Sequence, residues 1–198
     1  MQVEGGATFV VAAAIADLLA DRTHPVLVAL DGRSGAGKTT LARAVAAKVG
    51  AGVIEGDAFY AGGTAEAWDA MTPAAMTDHC VDWARQREVL TALASGRDAT
   101  WFPYDWNADD GRLSTDSDTC RAAPAVILEG AYSARPELAD LLDLLILLET
   151  DSIVRRDRLL QREGRDYRTE WEARWSVAED HYFTSVMPPT AFDLTVHT

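Results

Sequence analysis

The stretch VALDGRSGAGKTT, residues 28–40, contains the most informative pattern in this chain. It continues an apolar run, 25–32, of the kind that forms a strand buried on both faces of a parallel sheet. After it, apolar residues recur at helical spacing, which predicts a helix over 38–49. Between strand and helix, Gly32 to Thr39 match the pattern G-x-x-x-x-G-K-T. A glycine-rich loop in this position is typical of a phosphate-binding loop, or P-loop.

The loop has the residues that phosphate binding requires. Successive backbone N–H groups at the start of a helix form an anion nest, and the helix N-terminus adds partial positive charge. Lys38 is expected to reach the β- and γ-phosphates of ATP, and the Thr39 hydroxyl is expected to bind Mg²⁺. The residues expected to bind the nucleotide are Gly32, Ser34, Gly35, Ala36, Gly37, Lys38, Thr39 and Thr40.

The rest of the chain alternates between strand and helix patterns. Strands are predicted at 52–57, 99–106, 125–130 and 143–150 and within 192–198, helices at 79–95, 136–142, 152–163 and 168–185, and loops at 61–78 and 107–121. This alternation predicts a doubly wound α/β fold with a mostly parallel five-stranded sheet flanked by helices. We expect residues 1–198 to form one domain, since no linker or repeat interrupts the pattern.

Composition excludes several classes of partner. The formal net charge of −13 argues against nucleic acid and against an anionic membrane surface. Cys80 and Cys120 are far apart and in no metal or redox spacing, so free thiols in a reducing compartment are expected. The apolar segment 7–21 carries Asp17 and Asp21, which favours a surface helix over a signal peptide. We expect a cytoplasmic protein without a membrane partner, and a homo-oligomeric state stays open.

Two carboxylates follow predicted strands at the edge where ligands bind. The carboxyl ends of strands in an open α/β sheet face the ligand crevice. Asp57 follows GVIEG and Glu129 follows AVIL. Glu129 is placed to hold Mg²⁺ together with Thr39 and Asp57, while Asp57 could also align an acceptor hydroxyl and take its proton late in the transfer. The alternative for each acid alone is a solvated loop residue or a helix cap.

An arginine cluster follows the strand predicted at 143–150. It can form a lid over about residues 152–166 that closes on the transferring phosphoryl group and neutralises its charge. Interleaved acidic residues leave open a solvated, salt-bridged helix instead. The arginines of the cluster are Arg155, Arg156, Arg158, Arg162, Arg165 and Arg168.

Four aromatic residues lie in the segment ATWFPYDW. Alternation along a strand would bury some of them and expose others. Trp101 and Phe102 precede a turn at Pro103, and Tyr104 and Trp106 follow it. Tyr104 and Trp106 are the better candidates for a stacking wall, and the core is the alternative for both.

The ordered set of motifs resembles the uridine kinase branch of the P-loop kinases, which is related to phosphoribulokinase. The resemblance covers about residues 26–197. It is carried by GRSGAGKTT, IEGDAFY, FPYDW, VILEGAYSARPELADLLDL, RRDRLLQREGRD and PPTAFDLTV. It implies a nucleoside kinase-like fold with an arginine-rich helical lid, and substrate-side segments within about 57–123.

The resemblance also implies roles for particular residues. In the D-x-F-Y motif the aspartate contacts the acceptor hydroxyl and acts as base, which corresponds to Asp57 with Phe59 and Tyr60. It assigns Glu129 to the Mg²⁺ site. Tyr104 and Trp106 would line the acceptor pocket; Asp82 is the nearest match for the acid that binds sugar hydroxyls, with Asp78 as the alternative.

The lid of that family maps onto the arginine cluster. Arg155 is expected to bind the nucleotide, Arg158 and Arg162 to act on the transferring phosphoryl group, and Arg165 to contact the substrate. The chain departs from the family where uridine kinases usually have a base-reading histidine after the YD pair. Here the stretch is YDWNADDGR, with Asn107, Asp109 and Asp110.

The motifs together predict an ATP-dependent, Mg²⁺-using kinase that phosphorylates a hydroxyl of a small molecule. A nucleoside of the uridine or cytidine type is the leading acceptor. A non-nucleoside alcohol, resembling pantothenate, a sugar or an antibiotic, is the alternative within the kinase class. A hydrolytic NTPase and a non-catalytic nucleotide-binding regulator are the other classes, and the N-K-x-D motif of a GTPase is absent from the sequence.

Overall fold

The computed structural model describes residues 2–108, 110–163 and 171–198. Its strands are β1 (Val26–Asp31), β2 (Gly52–Glu55), β3 (Ala99–Trp101), β4 (Asp118–Cys120), β5 (Ala125–Glu129), β6 (Leu144–Glu149) and β7 (Leu194–His197). Its α-helices are α1 (Gln2–Asp21), α2 (Lys38–Val49), α3 (Ala65–Asp69), α4 (Pro73–His79), α5 (Trp83–Ala94), α6 (Ser152–Glu163) and α7 (Trp171–His181).

Five strands form the main sheet in the order β2-β5-β1-β6-β7, and each neighbouring pair is parallel. This confirms the predicted doubly wound, five-stranded sheet. Every residue of the central strands β1 and β5 is buried, as their continuous apolar sequences require. One core lies between the sheet and helices α1 and α2, and a second lies on the opposite face beneath α5 and α7.

Parallel pairing brings the carboxyl ends of the central strands to one edge. Leu30 near the end of β1 lies opposite Glu129 at the end of β5, and Glu129 lies opposite Glu55 at the end of β2. The segments after β2 and β5 also approach closely, since a Cβ on Gly56 would lie 3.0 Å from the carbonyl oxygen of Glu129. The acids that follow these strands therefore share one edge of the sheet.

Helix α2 begins and ends where the sequence predicts. Gly37 caps its N-terminus and Gly50 its C-terminus, both with left-handed backbone, and the Gly50 N–H donates to the carbonyl of Ala46. Helix α6 matches its predicted range of 152–163 as well. Its N-terminus follows β6 directly, so it begins at the same sheet edge as the loop between β1 and α2.

The loop predicted over 61–78 is wrong, because this segment contains the short helices α3 and α4. The hydroxyl of Thr64 caps α3, and that of Thr72 caps α4, which has Pro73 in its first turn. The loop predicted over 107–121 is also wrong at its end, where β4 pairs antiparallel with β3.

Several predicted boundaries shift by a few residues. The strand predicted over 52–57 ends at Glu55 and continues as a 3-10 helix, Gly56–Phe59. The helix predicted over 79–95 begins at Trp83, after the N-cap Asp82. The helix predicted over 136–142 is a single 3-10 turn, Pro136–Leu138, and the strand over 99–106 stops at Trp101.

The helix predicted over 168–185 is described from Trp171, because 168–170 lie outside the described residues. It continues past His181 as a π-helix, Tyr182–Val186. The N-terminal segment forms α1, which packs on α2 and β7 through Val11 and Ile15. Within the described residues, no helix combines the length and apolar composition needed to cross a membrane.

Candidate functional site

The loop that joins β1 to α2 depends on two glycines. Gly32 has φ +150°, and a Cβ there would lie 2.5 Å from the carbonyl oxygen of Leu148. Gly35 has φ +77°, and a Cβ there would lie 2.7 Å from the carbonyl oxygen of Arg155. Both positions combine a left-handed backbone with contact against a neighbouring main chain, so side chains are excluded at each.

The start of α2 has the properties of an anion nest. Gly37 is the N-cap of α2, so no side chain accepts a hydrogen bond from the N–H groups of the first turn. That turn also carries no acidic residue. Among the residues that the structure describes, the backbone N–H groups of Gly35 and Gly37 have no hydrogen-bond acceptor. These donors and the positive end of the helix dipole attract an anion to this point.

Lys38 and Thr39 begin α2 and point to two different partners. The Lys38 ammonium donates to the carbonyl oxygens of Gly32 at 2.8 Å and Arg33 at 3.2 Å. The Thr39 side chain lies near Glu129 and lowers the pKa of its carboxyl. Lys38 thus lies along the loop, and Thr39 lies beside the end of β5.

Glu129 and Asp57 lie beside each other at this edge. Glu129 is buried, and its burial raises the pKa of its carboxyl to about 6, against the lowering effects of Thr39 and Lys38. The charge of Asp57 contributes to that increase in the pKa of Glu129. Asp57 lies on the 3-10 helix after β2 and is exposed. The structure therefore brings together the hydroxyl, the two carboxylates and the lysine that the sequence predicted.

Asp31, at the end of β1, is a buried carboxylate that is absent from the residues predicted for the site. Its oxygens accept the backbone N–H groups of Gly32 at 2.7 Å, Tyr132 at 3.0 Å and Ala134 at 2.9 Å, and the Tyr182 hydroxyl at 2.8 Å. Burial raises the pKa of Asp31 to about 6, while the hydrogen bonds from Ala134, Tyr182 and Gly32 lower it. Tyr132 has φ +68°, so Asp31 also holds a strained turn of the chain after β5.

The arginines of α6 lie against the loop. Arg155 donates to the carbonyl oxygen of Ser34 at 3.1 Å, and Arg158 donates to that of Ala36 at 2.9 Å. Arg162 lies on the exposed side of α6, and Arg165 lies outside the described residues. The contacts place Arg155 and Arg158 next to the anion nest, and closure as a lid stays a prediction.

Helix α7 supplies two further contacts with the loop that no local sequence pattern predicts. The Glu179 carboxylate accepts hydrogen bonds from the backbone N–H of Ser34 at 2.8 Å and from its hydroxyl at 2.5 Å. Asp180 pairs with Arg33 at 2.5 Å. The loop is therefore held from its far side by acids on a helix that is distant in sequence.

The residues predicted to bind the phosphate acceptor lie in an aromatic cluster around Tyr60. Tyr60 stacks on Trp106 with centroids 5.0 Å apart, on Trp68 at 6.0 Å, and meets the edges of Tyr104 at 4.9 Å and Trp175 at 5.9 Å. Tyr104 is 3% exposed and belongs to the core, whereas Trp106 is 48% exposed. Of the two predicted wall residues, Trp106 is the more exposed.

Asp82 serves as the N-cap of α5, where its carboxylate accepts the backbone N–H of Arg85 at 3.1 Å. Asp78, the other candidate for a sugar-binding acid, is exposed near the end of α4. Asp110 pairs with Arg112, and Asp109 lies outside the described residues.

A cleft of about 450 Å³ lies beside the loop at the ends of β6 and β7. The Arg33 and Arg155 side chains line its loop side, and Phe183, His197 and Thr150 contribute elsewhere to its wall. Because the cleft adjoins the loop, a molecule with phosphates in the anion nest has space for a larger group here.

The glycine loop, its lysine and the acids at the sheet edge are matched by one family model. The model of the phosphoribulokinase/uridine kinase family matches residues 27–173. The chain belongs to this family. It is accordingly a P-loop kinase, and the matched range includes the loop, Asp57, Glu129 and α6. No curated protein sequence matches the chain.

Solved structures share the fold at low sequence identity. A possible uridine kinase from Bacillus stearothermophilus is 19% identical with a TM-score of 0.69, covering 99% of this chain and 100% of that one. A suggested fructose transport system kinase from Silicibacter sp. TM1040 is 22% identical with a TM-score of 0.65, covering 93% and 97%. D-glycerate 3-kinase from Cryptococcus neoformans is 12% identical with a TM-score of 0.59, covering 87% and 85%.

Replacement of Asp31 by asparagine tests the role of the buried carboxylate. Asp31→Asn turns one accepting oxygen into an NH₂ group that faces existing donors, so the free energy of unfolding should fall by about 3 kcal/mol. Urea denaturation measures the change. Asp140→Asn, which breaks an exposed pair with Arg87, is the matched control and should leave stability nearly unchanged. Equal stability of the wild type and Asp31→Asn would contradict the role.

Proposed function

We propose that this kinase transfers the γ-phosphoryl group of MgATP to a hydroxyl group of a nucleoside. The observation that carries the proposal is the convergence of Asp57 and Glu129 beside the anion nest of the loop. A switch or motor needs a nucleotide site alone, whereas a kinase also needs a group that aligns an acceptor. Asp57 is exposed at the edge of the sheet and supplies that group.

The residues present fit a bound MgATP. The nest and Lys38 would hold the phosphates, and the Thr39 hydroxyl with Glu129 and Asp57 would hold Mg²⁺, which prefers oxygen ligands. Among the described residues, no group of three or more His, Cys, Asp or Glu could hold a metal alone. Mg²⁺ is usually bound by one or two carboxylates together with water and substrate phosphates.

Asp57 would act mainly by positioning. A carboxylate is a far weaker base than an alkoxide, so it cannot ionise an alcohol before the transfer begins. In a loose transition state the proton leaves late, and Asp57 would align the hydroxyl and accept the proton at the end. Arg155 and Arg158 lie close enough to the loop to neutralise charge on the transferring group, with Arg162 following on α6.

The exposed indole of Trp106 supports a nucleoside acceptor. Its ring is nearly parallel to that of Tyr60, with 17° between the planes, and Tyr60 follows Asp57 by three residues. A planar base stacked on Trp106 would keep the attached sugar on the side of the cluster that leads to Asp57. The aromatic face then selects a flat acceptor, and Asp57 selects its hydroxyl.

A non-nucleoside alcohol is the second candidate, favoured by the capping role of Asp82. The carboxylate expected to bind sugar hydroxyls already accepts the N–H of Arg85. Trp68 and Trp175 also pack on Tyr60 and reduce the space around it. An acceptor smaller than a nucleoside would need neither a free Asp82 nor a deep pocket.

Acceptor-dependent release of ADP tests the function. We expect MgATP turnover to require one compound from a panel of nucleosides, sugars, vitamin precursors and amino alcohols, with a nucleoside giving the highest kcat/KM. Asp57→Asn should lower that turnover by at least about a hundredfold even at saturating MgATP. Asp17→Asn, which alters an exposed acid on α1, is the control and should retain turnover.

Two results would contradict transfer to an acceptor, and a third would contradict the role of Asp57. Rapid ATP hydrolysis that no acceptor stimulates would identify a hydrolytic NTPase. Tight MgATP binding without turnover across the whole panel would identify a nucleotide-binding regulator. Full acceptor-dependent turnover in Asp57→Asn would still identify a kinase, but it would contradict the role assigned to Asp57.

The pH dependence of Mg²⁺ binding tests the place of Glu129. Because the pKa of Glu129 is raised to about 6, its ionised form is lost as the pH falls through that value. Mg²⁺-dependent ATP affinity should therefore fall between about pH 7 and about pH 5, as calorimetry can measure. In Glu129→Gln the Mg²⁺-dependent part should be weak at every pH. An unchanged affinity down to about pH 5 in the wild type would contradict this assignment.

A further inference from the structure

The contact between Glu179 and Ser34 puts a carboxylate on the loop that binds phosphate. Both the backbone N–H and the hydroxyl of Ser34 donate to the same oxygen of Glu179, at 2.8 and 2.5 Å. Glu179 is 5% exposed, so this interaction lies largely outside water. Ser34 is the third residue of the glycine loop, and its donors are part of the set that the sequence assigns to nucleotide binding.

Glu179 belongs to a segment that contacts the whole beginning of the loop. Asp180 pairs with Arg33, and the ring of Phe183 lies under the Arg33 guanidinium at 5.2 Å. The Tyr182 hydroxyl donates to Asp31. The end of α7 and the π-helix after it are thus fastened to residues 31–34, and Glu179 has a fixed direction toward Ser34.

Glu179 lies near the positive charge of Arg155. Arg155 on α6 donates to the carbonyl of the same Ser34. Burial lowers the pKa of the Arg155 guanidinium, and the charge of Glu179 is the largest effect that opposes this. Glu179 is therefore a counter-ion for Arg155 as well as an acceptor for Ser34, which are the two tasks that a phosphate group in the nest would perform.

We propose that Glu179 is an affinity-determining residue that competes with nucleotide phosphates for Ser34 and Arg155. The proposal rests on the proposed MgATP site. Phosphates that enter the nest bring further negative charge close to a buried carboxylate, which costs free energy until Glu179 releases Ser34. The affinity for polyphosphate is then the intrinsic affinity of the loop reduced by the strength of this contact.

Replacement by glutamine separates charge from shape. Glu179→Gln keeps an amide oxygen that can accept from Ser34, while the negative charge is lost. The dissociation constant for MgATP should fall by at least about fivefold. Inorganic tripolyphosphate, which has no base or sugar, should show the same gain, because the competition concerns phosphate only. Asp180→Asn is the matched control, and its affinity should change by less than about twofold.

Isothermal titration calorimetry without any acceptor measures both ligands. Thermal unfolding of each variant in the same buffer establishes that the titrated protein is folded. Unchanged or weaker MgATP affinity in Glu179→Gln, with normal binding by the wild type, would overturn the role of Glu179 alone. An equal gain in Asp180→Asn would overturn it too, since the effect would then be general charge. Absence of binding in all three proteins would overturn the donor site together with this role.

Discussion

The hydrogen bonds that the Asp31 carboxylate accepts hold the segments of the site together. It lies at the end of the central strand and accepts four hydrogen bonds, from the first residue of the loop, from two residues after β5 and from the π-helix after α7. Three segments that are far apart in sequence meet at one buried group. The position of the loop relative to Glu129 follows from this junction, and so does the contact of α7 with the loop.

Around this junction, the two sides of the parallel sheet carry different groups of residues. The side of β6, β7 and α6 holds the cleft and the arginines that contact the loop. The side of β2 and α5 holds Asp57 and the aromatic cluster around Tyr60. In the proposed reaction the phosphoryl group passes between these sides, where Lys38, Thr39 and Glu129 lie. The architecture thus accounts for a kinase with a separate donor and acceptor.

Local patterns in the sequence predicted much of this. The bounds of α2 are correct because glycines and helical spacing lie within the segment itself, and the rule that strand ends face ligands predicted Asp57 and Glu129. The same rule applied to β1 would have added Asp31. The five residues of α3 are stabilised by packing. The Thr64 cap is a local signal that a helix begins there. The contact of Glu179 with Ser34 spans 145 positions and depends on where α7 packs, which no local pattern contains.

The fate of the terminal phosphoryl group of ATP distinguishes transfer to a nucleoside from hydrolysis. ATP labelled in that group is mixed with the protein, Mg²⁺ and a nucleoside pool, and the products are separated by chromatography. We predict that the label appears in a nucleoside monophosphate, with little in inorganic phosphate. Label found entirely in inorganic phosphate, at a rate that the nucleosides do not change, would contradict the assignment of Asp57 and the aromatic cluster to an acceptor.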